Sequence, residues 1–209
     1  MTEHPPAMEA RSPPRSIAAI VLAAGGSSRL GRPKMLLDLG GRTLLARAVA
    51  PHLEAGLHAV VVVVGRDAPE VLAAARLPDD PRLRVVVHEG WREGMASSIR
   101  EGLAACDDAE AVLIALADQP EIDAARVRAV VGAWDGRAPL VVPTAEGRPT
   151  HPVLFARALF GELRRLQGDV GARSVVESHR ASAIPLALAP LLDVDTEEDY
   201  QSARARWGG

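Results

Sequence analysis

The sequence predicts an α/β fold, a single doubly wound and mainly parallel sheet with helices on both faces. Strand-length hydrophobic bursts alternate with helix-length amphipathic stretches along nearly the whole chain. Several bursts are continuous and β-branched, as strands covered on both sides are. The chain has 209 residues, 48% of them hydrophobic, which is enough to fill one sizeable core.

The opening segment MTEHPPAMEARSPPRS is proline-rich and polar, and residues 1–15 are expected to form a disordered tail ahead of one folded domain, 16–209. Strands are expected at Ile17 to Leu22, Ala59 to Val64, Leu83 to Val87, Ala111 to Leu116, Leu140 to Val142 and Val153 to Phe155. A short late pair is expected at Ile184 to Leu186 and Leu191 to Val194. Helices are expected at Thr43 to Ala55 with Thr43 as cap, Pro69 to Arg76, Met95 to Ala105, Ile122 to Trp134, Phe155 to Leu166, Val170 to His179 and Thr196 to Trp207.

A net charge of −3 gives no electrostatic reason to expect a nucleic acid polymer or an anionic membrane as partner, although a local arginine cluster still suits a small anion. No apolar run is long enough to span a bilayer. The single cysteine, Cys106, excludes an intrachain disulfide and a cysteine metal cluster, so a cytoplasmic setting fits. It lies in an alanine-rich helical pattern and reads as a small buried hydrophobe.

In an open α/β sheet, ligands bind beyond the carboxyl ends of the strands. That rule brings together three loops, 23–34, 88–98 and 117–121. The first holds Lys34, the only lysine among 24 Lys and Arg residues, where a compact ammonium rather than a guanidinium has been kept. The loop reads G-x-x-x-R-x-G-x-x-K over Gly25, Arg29, Gly31 and Lys34; it follows Leu22, the expected strand's last residue and a candidate nucleotide contact, and its small residues Ala23, Ala24, Gly25, Gly26, Ser27 and Ser28 allow close backbone approach. It fits neither a Walker A loop nor a G-x-G-x-x-G fingerprint. A glycine-rich loop with two cations after a first core strand points to phosphate binding. Asp118, at the carboxyl end of the run Ala111 to Ala117, is a candidate magnesium ligand, with helix capping as its competing role.

The stretch LAAGGSSRLGRPK, with EGMASSIREGL, LADQP, RPTHPVLF, GDVGARSVV and DVDTEEDY in the same order, resembles the nucleotidyltransferases grouped with molybdenum cofactor biosynthesis. It looks most like the molybdenum cofactor cytidylyltransferases of the MocA type. The resemblance implies a Rossmann-like nucleotidyltransferase fold and CMP transfer from CTP to the phosphate of molybdopterin-bound molybdenum, with release of pyrophosphate and Mg2+ as cofactor. A maturing molybdoenzyme or its chaperone is the implied protein partner.

By the same resemblance, Arg29 and Lys34 act on the phosphates, the first as a planar fork and the second as a movable charge at the α-phosphate. Gly94, Ser97 and Ser98 meet the nucleotide, through amides and hydroxyls at a helix start. Asp195 joins Asp118 at the metal, with Asp193 as alternate; Asp195 also has capping-box spacing to Glu198. Ala24 stands where related guanylyltransferases carry glycine, which favours a pyrimidine. His151, Asp169 and Arg173 fall to the acceptor pocket, with Thr150 replacing the family's usual glycine before His151. Asp169 and Arg173 equally have the spacing of a helix-face ion pair.

Two further readings stay open. Some members of this fold family are NAD(P)-dependent reductases, nicotine blue oxidoreductase among them, and the acceptor could be a different phosphate compound.

Overall fold

The computed structural model describes residues 15–25 and 30–207. Its strands are β1 (Ile17–Ala23), β2 (Ala59–Val64), β3 (Leu83–Val87), β4 (Ala111–Leu116), β5 (Leu140–Ala145), β6 (Arg148–Pro149), β7 (Val153–Ala156) and β8 (Ile184–Ala187). They form one sheet in the order β3-β2-β1-β4-β7-β5-β6, with β8 joined to β5. The pairs β1–β2, β1–β4, β2–β3 and β5–β8 are parallel. β7 runs antiparallel to both β4 and β5, and β6 antiparallel to β5. The sheet is therefore mixed and mainly parallel.

Strand side chains alternate between faces, so β1 feeds two cores. Ile17, Ala19, Val21 and Ala23 pack into one with α1 (Leu44–Glu54), α2 (Ala68–Ala75), α4 (Ala124–Ala133) and α7 (Glu197–Trp207). Ala18, Ile20, Leu22 and Ala24 pack into the other with α3 (Met95–Ala104), α5 (Phe160–Arg164) and α6 (Arg173–Ser178). Both faces of β1 and β2 are covered, which is why their sequences are continuous apolar runs rather than alternating ones.

Thr43 caps α1, its side chain accepting from Ala46 N, and Asp123 caps α4 through Arg126 N. Arg15 already belongs to the folded body, since its guanidinium donates to the Trp134 and Asp135 carbonyls; residues 1–14 of the expected tail lie outside the described residues. Cys106 is buried; its thiol donates to Gly102 O and burial pushes its pKa up to about 12.

Three expected elements differ. Leu191 to Val194 forms no strand. Leu192 N donates to the Glu121 carboxylate and Val194 N to Asp118 O, so the segment docks on the loop after β4 by isolated bonds instead of a ladder. The helix expected from Phe155 shrinks to α5, because β7 extends to Ala156 and a 3-10 turn, Arg157–Leu159, intervenes. The helix expected from Val170 begins only at Arg173, since Gly171 takes a left-handed φ of 59°.

Candidate active site

β2 and β3 lie on one side of β1 and β4 on the other, so the chain reverses its direction of travel between β1 and β4. Crevices open at such points beyond the carboxyl ends of strands. A cavity of about 770 Å³ is found there, and all three loops singled out in the sequence line it. Lys34, Asp118 and Asp195 cluster in one part of it; elsewhere its lining mixes Ala24, Trp91, Met95 and Ser98 with the charged Arg92, Glu93 and Asp169.

The Lys34 cluster is assembled by three segments. Ala117 N donates to Leu22 O, which places Asp118 directly beyond β1. Val194 N donates to Asp118 O, which draws Asp195 alongside. Lys34 opens a 3-10 turn, Lys34–Leu36, and is tied to the start of α7 through Arg32, which pairs with Glu197 at 2.7 Å and stacks over Tyr200. The result is an ammonium bridging two carboxylates. Lys34 Nζ lies 2.6 Å from Asp118 Oδ2 and 3.1 Å from Asp195 Oδ1.

Burial alone would lower the Lys34 pKa, but the charge of Asp118 and hydrogen bonds to both carboxylates outweigh it and leave the pKa raised above the ordinary 10.5. The other oxygen of Asp118, Oδ1, is buried without a hydrogen-bond partner among the described residues. An unsatisfied buried carboxylate oxygen beside a second carboxylate fits a hard divalent cation, which needs only one or two protein carboxylates when phosphate oxygens complete its shell.

Asp195 does not cap α7. Thr196 does, its Oγ1 accepting from Asp199 N while the Asp199 carboxylate accepts from Thr196 N, so the capping box is displaced by one residue from the expected Asp195–Glu198 pair. Asp193, the alternate ligand, accepts from Gln119 Nε2 at 2.7 Å, and burial raises its pKa.

Elsewhere in the cavity the expectation of open amides fails. Asp169 Oδ1 accepts from Met95 N at 3.0 Å, Gly168 O from Ala96 N at 3.1 Å and Gly94 O from Ser97 N at 3.1 Å, so the start of α3 is capped by the chain itself. Gly94 must be glycine here: its φ is 101°, and a Cβ would fall 2.6 Å from the Gly168 carbonyl. Ser98 and Gly94 line the cavity. Ser97 does not; it is buried against His88, at 2.8 Å, and donates to Gly94 O.

The residues expected to hold the acceptor each have another partner. His151 stands near enough to Asp118 to feel its charge, yet burial dominates and lowers its pKa to about 4. Its carbonyl accepts from Arg126 Nε. Asp169 lines the cavity while capping α3. Arg173 is exposed and pairs with Glu177 at 2.8 Å, one turn further along α6, not with Asp169.

Of the phosphate loop, Leu22, Ala23, Ala24 and Gly25 line the cavity, whereas Gly31 does not. Gly26, Ser27, Ser28 and Arg29 lie outside the described residues. Sequence reasoning missed Trp91 and Gly168, both in the cavity wall. The signal for Trp91 was present: it is one of three tryptophans in a chain with 3% aromatic residues, and it sits inside a loop already singled out.

Comparison with known proteins agrees with this fold. Residues 19–183 match the family described as the MobA-like NTP transferase domain. Nicotine blue oxidoreductase of Paenarthrobacter nicotinovorans is 37% identical over 75% of this chain and 79% of its own. The purine catabolism protein PucB of Bacillus subtilis is 29% identical over 90% of this chain and 96% of its own. Among solved structures, Rv0371c of Mycobacterium tuberculosis superposes with a TM-score of 0.81 at 34% identity, over 91% of this chain and 98% of that one. A structure of Rv0371c in complex with manganese superposes at 0.77 and 32% identity, over the same shares.

Proposed function

This chain belongs to the MobA-like NTP transferase family, and from that premise we propose that it moves CMP from CTP onto the phosphate of molybdopterin-bound molybdenum, releasing pyrophosphate. The observation that supports the reading best is the Lys34 ammonium held between Asp118 and Asp195 at the mouth of β1 and β4. Nucleotidyl transfer is mostly alignment and charge neutralisation, so a site built from one mobile cation and two carboxylates suits it.

Asp118 and Asp195 are the residues that would hold Mg2+, and Asp118 Oδ1, without a hydrogen-bond partner among the described residues, fits that use. Bound there, the ion would neutralise charge on the phosphates and the departing pyrophosphate. Lys34 sets an ammonium beside the α-phosphate, and Arg29 is assigned to the outer phosphates. Leu22 to Gly25 bring backbone against the nucleotide, and the Ala24 methyl narrows the base end toward a pyrimidine. His151 stays neutral near pH 7, its pKa lying at about 4, and serves the acceptor side without adding charge beside Asp118. Nothing in the placement of Arg173 supports a grip on the acceptor phosphate. The reading places the protein in the cytoplasm, with a maturing molybdoenzyme or its chaperone receiving the product. Among the described residues no helix is long and apolar enough to cross a membrane.

One observation favours a second reading, reduction by NADH or NADPH: the 37% identity to nicotine blue oxidoreductase. A paired assay separates them. The protein is incubated with Mg2+ and each nucleoside triphosphate, with and without molybdopterin acceptor, while pyrophosphate is measured; NADH and NADPH absorbance with a quinonoid dye is followed in parallel. Acceptor-dependent pyrophosphate from CTP is the expected result. Dye reduction with no pyrophosphate from any triphosphate would transfer the assignment to the second reading.

A further inference from the structure

Lys34 sits between the Asp118 and Asp195 carboxylates, so a nucleoside triphosphate with its phosphates and a divalent ion there extends its base along the cavity toward the part lined by Ala24 and Trp91. Trp91 is set there by a glycine. A Cβ on Gly65, just beyond β2, would fall 2.8 Å from Trp91 Cβ, 2.9 Å from its Cγ and 3.0 Å from Ala24 Cβ, so only glycine lets the tryptophan seat itself this close. The ring is held from a second side by Arg92, whose guanidinium carbon stands 4.5 Å from the ring centroid. An indole fixed by backbone and by a cation meets a ligand as a rigid wall rather than a yielding one.

We propose that Trp91, seated on Gly65 beside Ala24, determines base specificity by closing the end of the cavity to purines and leaving room for a pyrimidine. The proposal rests on the nucleotide-binding reading above and adds to it the residue that measures the base. The Ala24 methyl alone is a small obstacle, and a single methyl discriminates weakly in a pocket. A tryptophan wall is a large one, and removing its bicyclic indole opens more space than a purine needs beyond what a pyrimidine already occupies.

The test needs no acceptor. Equilibrium dialysis with Mg2+ and either CTP or GTP gives the base preference of the full chain and of Trp91→Ala, Trp91→Phe and Gly65→Ala. The parent is expected to prefer CTP. Trp91→Ala should lose that preference by about 10-fold or more, mainly through tighter GTP binding. Gly65→Ala should shift the preference in the same direction with Trp91 still in place, since its new methyl displaces the indole; this variant decides the matter if Trp91→Ala fails to fold. A second readout follows binding directly. CTP should quench tryptophan fluorescence in the parent and lose that effect in Trp91→Phe, because Trp134 and Trp207 do not line the cavity. Retention of CTP binding with an unchanged CTP-to-GTP ratio in both Trp91→Ala and Gly65→Ala would overturn the proposal and leave the functional reading standing. A parent that binds neither nucleotide would bring down both.

Discussion

Two sets of side chains were singled out by the sequence for one reaction, and the fold treats them differently. Lys34, Asp118 and Asp195 converge within 3.1 Å contacts, while His151, Asp169 and Arg173 go to separate tasks as a half-enclosed imidazole, a helix cap and an exposed ion pair. Asp118 and the loop leading to Lys34 leave the ends of adjacent parallel strands, whose register fixes their approach, and Asp195 is bonded to that end through its neighbour. The second set lies on short elements and turns, where nothing in the local pattern fixes direction. A motif at a strand end is therefore a stronger spatial statement than a motif of equal length on a short helix.

The largest expected effect breaks the first set. Lys34→Ala should lower kcat/KM for pyrophosphate release by at least about 100-fold, as loss of one charge-stabilising group at a reacting phosphate does. It also leaves two partly buried carboxylates facing each other. Urea unfolding without divalent metal should show a loss of roughly 1–2 kcal/mol, below the cost for a fully buried pair, and Mg2+ should restore much of it. An unchanged unfolding midpoint with and without Mg2+ would mean the two carboxylates do not share a charge.

The two sets should also fail at opposite ends of the pH scale. The raised Lys34 pKa means that its contribution to stability is fully present below 10.5 and is lost as pH rises through the higher folded value. His151 and the fully buried His52 are both held to about 4 against an ordinary 6.5. The unfolded chain thus binds more protons than the folded one between those values, and stability falls as pH drops from 6.5 toward 4. Urea midpoints measured across both windows should show the two limbs. His52→Leu should flatten the acid limb and Lys34→Ala the alkaline one.

Smaller effects sharpen the contrast within the second set. Asp169→Ala removes the side-chain cap of α3 and should cost about 1 kcal/mol by urea unfolding. Arg173→Ala removes an exposed i,i+4 pair; it should change stability by less than about 0.5 kcal/mol and turnover by less than about twofold. A large loss of acceptor affinity in Arg173→Ala, measured as KM, would return that arginine to the acceptor pocket.

Much of the fold was legible because burial on both faces writes itself into sequence: β2 and β4 have the expected bounds, as has the more exposed edge strand β3 through its β-branched run, and Thr43 caps α1. The antiparallel placement of β7 was not legible, since four buried residues in a row, Val153–Ala156, look alike in either direction. The capping of α3 was illegible for a different reason. Its donors are at residues 95 and 96 but its acceptors belong to residues 168 and 169, and a Gly-Met-Ala-Ser start carries no mark of a partner that far along the chain. Trp91 was marked by its rarity and its loop, but its seat was not legible, because Gly65 beneath it is 26 residues earlier in the chain.

What the sequence determined by itself was the alternation of strands and helices, the two-faced burial of the central strands, and a glycine-rich loop that ends in the chain's one lysine. These are properties of periodicity and composition, which act over a few neighbouring residues. What only the tertiary structure decided was the company each side chain keeps: that Lys34 meets carboxylates 84 and 161 residues away, that Thr196 rather than Asp195 caps α7, and that Trp91 lines the cavity against Gly65 and Ala24. Such contacts depend on strand order and loop packing, and these are fixed by the joint burial of the whole chain rather than by any local segment.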